Sequence, residues 1–145
     1  MHAFKRIFAI VLILGALVLG LLIYLEVRQE QWIHHWVSAF GISGLREIFP
    51  AHSWYSLSMP DALWMFALSL SIILIWDFRW CRQSILWLIT AICVGLLFEI
   101  AQAEHWVPGT FDPVDVFSVV IGGLAPLMFM IRTQRLALRP GILSK

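Results

Sequence analysis

The chain has 145 residues, of which 61% are hydrophobic and only 13% charged, and its mean hydropathy is +0.86. A soluble domain of this size would leave much of that apolar surface facing water, whereas lipid accepts apolar side chains on the outside of a helix. The composition therefore excludes an ordinary soluble domain and predicts one integral membrane domain over residues 1–145. The net charge of +1 gives no support to nucleic-acid binding, and no nucleic-acid partner is predicted.

Four apolar segments are long enough to cross a hydrocarbon core about 30 Å thick. None of them alternates apolar and polar residues as a strand would, so the predicted fold is an all-α, polytopic membrane protein. The first segment is expected to stay in the protein, because its apolar run of about 18 residues exceeds that of a cleaved signal peptide. The predicted transmembrane helices cover residues 7–25, 59–76, 85–103 and 114–131.

Residues 26–58 form the predicted connection between the first two transmembrane helices. Five apolar residues recur within it at helical spacing, which indicates a short amphipathic helix lying in the membrane interface. These five are Trp32, Ile33, Trp36, Val37 and Phe40.

The positive charges predict the orientation of the chain. Eight of its ten Lys and Arg residues precede the first predicted helix, separate the second from the third, or follow the fourth. The positive-inside rule assigns such segments to the cytoplasm, so both termini are predicted to be cytoplasmic. The eight are Lys5, Arg6, Arg79, Arg82, Arg132, Arg135, Arg139 and Lys145.

Two segments have the local chemistry of a helix start. In Ser58-Met-Pro-Asp61, we expect Ser58 to cap the second helix and the proline to lie in its first turn. In the fourth helix, Asp112 is the expected N-cap, Pro113 the first helical residue and Asp115 the third.

Small residues on two helices predict close packing. Ser118, Gly122 and Gly123 form one smooth strip on the fourth helix, and Ala16 with Gly20 forms a weaker one on the first. Such strips permit a protein partner or a homo-oligomer within the membrane without requiring either.

Glu99 is the unusual residue of the predicted spans, because it lies inside the third helix. A carboxylate at the bilayer centre costs about 2.5 to 3.5 kcal/mol on insertion scales, so it normally faces protein or a wet cavity. The bland alternative is that Glu99 only joins helices by hydrogen bonds. Several carboxylates meeting here would need protons, a cation or a basic partner. The predicted binding pocket consists of Glu99, Gln102, Asp61, Trp64, Asp112 and Asp115.

The spacing of these residues resembles the signature of the VanZ-like family of small bacterial membrane proteins. The matching stretches are Glu99-x-x-Gln102, Pro108-Gly109-Thr110-Phe111-Asp112-x-x-Asp115 and Gly122-Gly123, with Pro60-Asp61-x-x-Trp64 at the family's preceding helix start. The resemblance covers residues 58–127, about half of the chain. Thr110, Trp64 and Ser118 stand where the family has Arg, His and often Asn, which indicates a divergent member.

The resemblance implies a protein of the bacterial cell envelope, in the cytoplasmic (inner) membrane. Through its named member, the family is linked to reduced susceptibility to the glycopeptide teicoplanin. No settled reaction comes with the family, so the resemblance implies an architecture and a candidate site.

Three functions remain open from the sequence. The first is a noncatalytic envelope protein whose outer acidic pocket binds a cation, a lipid headgroup or a partner helix. The second is a membrane-embedded enzyme acting on a lipid-linked phosphate or sugar, with Asp112 and Asp115 holding a divalent metal and Glu99 as general base. The third is a small transporter or channel subunit. The sequence offers no nucleophile at the pocket, which favours the first, and no cofactor is predicted.

Overall fold

The computed structural model describes residues 2–27, 54–108 and 111–131. These ranges contain helices and no strand, so the predicted all-α fold is confirmed. The predicted interfacial helix, which rests on residues 32–40, lies outside the described ranges. The four helices of the described part are α1 (His2–Val27), α2 (Trp54–Ile75), α3 (Arg82–Ala103) and α4 (Pro113–Leu124).

All four helices are long and apolar enough to cross a membrane. The candidate spans are Ala3–Leu25, Ser58–Ile75, Arg82–Ala103 and Pro113–Ile131, the last because the chain is helical again over residues 127–131 after a turn. They agree with the predicted spans to within a few residues. Eight of the 22 residues of α3 are exposed large hydrophobics, as expected where a helix contacts lipid. The chain is therefore a multi-pass membrane protein.

The start of α2 differs from the prediction. The helix begins at Trp54, so Ser58 is a buried residue inside it rather than its N-cap, and Asp61 lies beyond the first turn. Pro60 is likewise inside the helix. A proline removes one backbone hydrogen bond, and membrane-spanning helices tolerate this loss when neighbouring groups compensate. Residues 58–61 thus have the composition of a helix start, but the helix already begins four residues before Ser58.

Helix α2 is the centre of the bundle, because it packs against α1, α3 and α4. Leu70 and Ile73 of α2 are completely buried, as are Ile23 of α1 and Met130 after α4. The remaining helices surround α2 and leave their outer faces exposed. The contacts of the other three helices with α2 therefore define the packing of the bundle.

Both predicted strips of small residues lie at contacts with α2. A Cβ atom added at Gly122 would collide with the backbone carbonyl oxygen of Ala62, so α4 approaches the α2 backbone directly. A Cβ added at Gly20 would lie 2.6 Å from Nε1 of Trp64, so α1 also packs closely on α2. The predicted role of these glycines in close packing is confirmed.

Helices α2, α3 and α4 meet in a layer formed by Gly95, Met65 and Val119, called here the Gly95 layer. A Cβ at Gly95 would lie 2.7 Å from Cε of Met65 and 2.8 Å from Cγ1 of Val119. The absence of a side chain at Gly95 thus allows three helices to touch at one height.

The start of α1, the α2–α3 connection and the end of the fourth span lie at the same end of the bundle. Arg6 near the start of α1 contacts Asp77, which follows α2, with 3.1 Å between Nη2 and Oδ1. The ring of Phe8 lies 6.4 Å from that of Phe129, measured between centroids, so the end of the fourth span is also close. The predicted topology requires this arrangement of the start of α1, the α2–α3 connection and the end of the fourth span.

Candidate functional site

Glu99 is one of the few buried polar residues of the described part. Its side chain lies on α3, one turn before the helix ends, and the residue is only 7% exposed. Atom Oε2 is buried and has no hydrogen-bond partner within the residues that the structure describes. A carboxyl group in this position loses its hydration without gaining a donor, which makes it costly to keep.

The packing of the three helices brings other acidic residues to the same height. Glu99, Asp61 and Asp115 each lie four residues from the member of the Gly95 layer on their own helix. Residues four apart share a face of a helix, so these three carboxyl groups form the next layer along the bundle. Helix α3 runs antiparallel to α2 and α4. Four residues forward along α3 and four residues backward along α2 and α4 therefore lead to the same end of the bundle.

The electrostatics agree with this geometry. Asp115, Asp61 and Asp112 all act on Glu99 through their charges, with Asp115 having the largest effect of the three. The structure thus brings together four of the six predicted pocket residues. We call Glu99, Asp115, Asp61 and Asp112 the acidic cluster.

The two aspartates of α4 differ in what they bind. Oδ1 of Asp112 accepts a hydrogen bond from the backbone N–H of Val114 at 2.9 Å, which confirms Asp112 as the N-cap. Asp115 lies in the first turn, as predicted, but its Oδ1 is buried and has no hydrogen-bond partner among the described residues. The capping chemistry of a helix start therefore explains Asp112 and leaves Asp115 unexplained.

The contacts shown for the other two predicted pocket residues, Trp64 and Gln102, do not include the acidic cluster. The ring of Trp64 lies 5.4 Å from that of Tyr24, between centroids, and also faces Gly20, so the contacts shown for it are with α1. Gln102 is partly buried in the last turn of α3. Its backbone carbonyl accepts the N–H of His105 at 3.1 Å, which helps to end the helix.

Sequence reasoning missed the Gly95 layer, although this layer sets the position of the cluster. The signal was present, because the three acidic residues each have a small or apolar residue one turn away in the direction of the bundle centre. It could have been found only by assuming which helices are neighbours.

The donor set of the site was compared with the needs of a metal ion. Within the described ranges, no three or more His, Cys, Asp or Glu side chains are arranged to hold one. Asp112, one of the two candidate ligands, already uses an oxygen for the cap of α4. The main feature of the site is that one carboxylate oxygen of Glu99 and one of Asp115 are buried without a hydrogen-bond partner among the described residues.

Comparison with protein-family models, with curated proteins and with solved structures found no match to this chain. The resemblance to the VanZ-like family consequently stays a prediction from the spacing of residues. The acidic cluster and its place in the bundle are the features of the structure that bear on function.

Proposed function

We propose that this chain is a VanZ-like protein of the bacterial cytoplasmic membrane whose acidic cluster binds a cationic group. The group is a small cation, the amine of a lipid headgroup or a basic side chain of a partner helix. Both termini lie in the cytoplasm, and the cluster lies toward the outer leaflet. Occupation of the cluster changes the susceptibility of the cell to envelope-directed antibiotics.

The observation that carries this proposal is the pair of buried oxygens, Oε2 of Glu99 and Oδ1 of Asp115. Neither has a hydrogen-bond donor in the described part of the chain. Burying an unpaired charge is strongly unfavourable, and a cationic group placed between the two carboxylates would supply both the charge and the donors. A function that uses this position explains why the chain keeps it.

The direct test measures binding to the purified full chain in lipid nanodiscs. Sodium, calcium and ethanolamine are added separately, and the thermal unfolding midpoint is recorded at each concentration. A ligand at about 100 times its dissociation constant stabilises the folded state by about 2.7 kcal/mol. We expect at least one probe to raise the midpoint of the wild type, and Glu99→Gln to remove the increase.

Glu104→Gln is the matched control, because it removes the same charge from an exposed residue just after α3. This variant should respond to the probes as the wild type does. If Glu99→Gln responds equally well, the cluster is not the binding site. If no probe raises the midpoint of the wild type, the remaining candidate is a basic side chain of a partner helix. A partner protein should then copurify with the wild type and not with Glu99→Gln, and its absence from the wild type would contradict the proposal.

The role in the envelope is tested in cells. The wild type, Glu99→Gln, Asp115→Asn and Glu104→Gln are expressed to equal levels in a glycopeptide-susceptible bacterium, and the inhibitory concentration of teicoplanin is measured. We expect the wild type and the Glu104 variant to raise this concentration, and the two cluster variants not to do so. Equal values for all four strains and the empty vector would contradict the envelope role while leaving the binding result intact.

A further inference from the structure

The connection between α2 and α3 is a short loop with a fixed backbone. At the end of α2, the N–H of Phe78 donates to the carbonyl of Ile73 at 2.9 Å, and that of Asp77 donates to Leu74 at 3.0 Å. This pair of bonds is the Schellman pattern that closes many helices. The side chain of Phe78 is only 7% exposed and belongs to the hydrophobic core, so it anchors the loop from inside.

The start of α3 holds the other half of the loop. The backbone N–H of Cys81 donates to Oγ of Ser84 at 3.2 Å, and the N–H of Ser84 lies 3.4 Å from Sγ of Cys81, which forms a capping box. The Ser84 hydroxyl is also 3.0 Å from the carbonyl oxygen of Arg79 and 2.9 Å from that of Cys81. Both ends of the loop are therefore fixed before any ligand arrives.

This rigid loop exposes two cations on either side of an aromatic ring. Arg79 and Arg82 are exposed, and Trp80 between them is 43% exposed. Asp77 is the nearest acidic residue in the sequence, and it is already paired with Arg6. Across the described ranges this is the one ion pair found, so the guanidinium groups of Arg79 and Arg82 have no carboxylate partner there.

The loop also lies at the right depth to meet lipid headgroups. The span of α2 ends at Ile75 and that of α3 begins at Arg82, so the residues between them are at the edge of the hydrocarbon region. Tryptophan is favoured at this level, and a guanidinium group binds phosphate through two parallel hydrogen bonds. Clusters of basic residues beside a span attract anionic lipids.

We propose that Arg79, Trp80 and Arg82 bind the headgroup of an anionic phospholipid. The two guanidinium groups contact the phosphate, and the indole ring lies beside the glycerol region. A zwitterionic lipid fits less well, because its own amine competes for the phosphate. This site lies at the opposite end of the bundle from the acidic cluster, so it is independent of the function proposed for that cluster.

The test uses the full chain in detergent with stepwise addition of phosphatidylglycerol or phosphatidylcholine, and the unfolding midpoint as readout. Each cation near an anionic headgroup contributes about a fivefold change in affinity, so Arg79→Gln/Arg82→Gln should weaken the response to phosphatidylglycerol roughly 25-fold. The matched control is Arg28→Gln/Arg46→Gln. These are the two Lys and Arg residues of the predicted connection 26–58, on the other side of the membrane from the eight predicted to be cytoplasmic. This control variant should bind phosphatidylglycerol as the wild type does.

Cys81 provides a second readout within the loop itself. Hydrogen bonding by Ser84 holds the pKa of its thiol below the usual range, and the charge of Arg79 contributes to the same effect. In a Cys93→Ser background, the rate of Cys81 alkylation therefore reports on this position alone. Phosphatidylglycerol should slow the reaction, because a bound headgroup covers the thiol and offsets the charge of Arg79.

Three results would overturn the proposal. Phosphatidylcholine could stabilise the chain as well as phosphatidylglycerol, the control double variant could lose as much affinity as the loop variant, or inorganic phosphate alone could protect Cys81 to the same extent as the lipid. The last result would assign the site to free phosphate instead of a membrane lipid.

Discussion

At the scale of single residues, Glu99 combines two properties that rarely occur together. It is 7% exposed, and one of its carboxylate oxygens has no hydrogen-bond donor in the described part of the chain. Asp115 repeats the second property on the neighbouring helix. Residues that weaken the fold and yet persist are expected at functional sites, where the loss in stability accompanies an activity.

We expect Glu99→Leu to stabilise the ligand-free protein. An unsatisfied buried polar group costs about 1 to 3 kcal/mol, and leucine has a similar size without that cost. The thermal unfolding midpoint in detergent, after exhaustive washing, should therefore rise. Glu104→Leu on the exposed loop should change the free energy of unfolding by less than about 0.5 kcal/mol. A clear loss of stability in Glu99→Leu would mean that Glu99 already has a partner.

At the scale of helices, the glycines decide which elements can touch. Gly122 lets α4 reach the backbone of α2, whereas Gly15 on α1 has open space where a side chain would be. The two positions carry the same residue type inside helices, and their surroundings differ completely. The same substitution at both positions therefore separates the effect of helix propensity on stability from the effect of packing.

We expect Gly122→Ala and Gly15→Ala to have opposite effects. At Gly122 the new Cβ collides with the carbonyl oxygen of Ala62, and overpacking of this kind costs about 1 to 3 kcal/mol. At Gly15 no atom lies within 4 Å, so alanine should stabilise the helix by about 0.5 to 1 kcal/mol. The measurement is the thermal unfolding midpoint of both variants in the same detergent, which should fall for Gly122→Ala and rise for Gly15→Ala. Equal shifts would show that α4 does not pack on α2 as described.

The elements also show what a sequence can and cannot predict. The spans and the Asp112 cap follow from hydropathy, length and residues adjacent in the chain, and all were found in advance. The start of α2 was misplaced, because Ser58 and Asp61 carry a strong local start signal that the longer helix overrides. The partner of Trp64 depends on how α2 is rotated, and the sequence does not fix this rotation until the neighbours of α2 are known.

At the scale of the whole molecule, charge is divided between the two ends of the bundle. Arg6, Arg79 and Arg82 lie at one end, and the acidic cluster lies at the other. The contacts of Arg6 with Asp77 and of Phe8 with Phe129 bring the start of α1, the α2–α3 connection and the end of the fourth span together. The positive-inside rule predicts that this end faces the cytoplasm.

Reporter fusions should confirm this orientation in a bacterial host. Green fluorescent protein fused after Lys145 should fluoresce, because the C-terminus is predicted to be cytoplasmic, whereas alkaline phosphatase fused after Glu104 should be active outside. The reciprocal fusions at these two positions serve as controls and should be silent. Phosphatase activity at Lys145 would reverse the assignment of the acidic cluster to the outer leaflet.

The size of the residue at position 95 could control the spacing between the carboxyl groups of the acidic cluster. Because three helices touch where Gly95 has no side chain, the Gly95 layer acts as a spacer that sets how far apart α2, α3 and α4 lie one turn away. Enlarging the spacer would separate Glu99 from Asp115 without altering any charge. Evolution or design could thus select between a narrow site and a broad one through a single uncharged position outside the cluster.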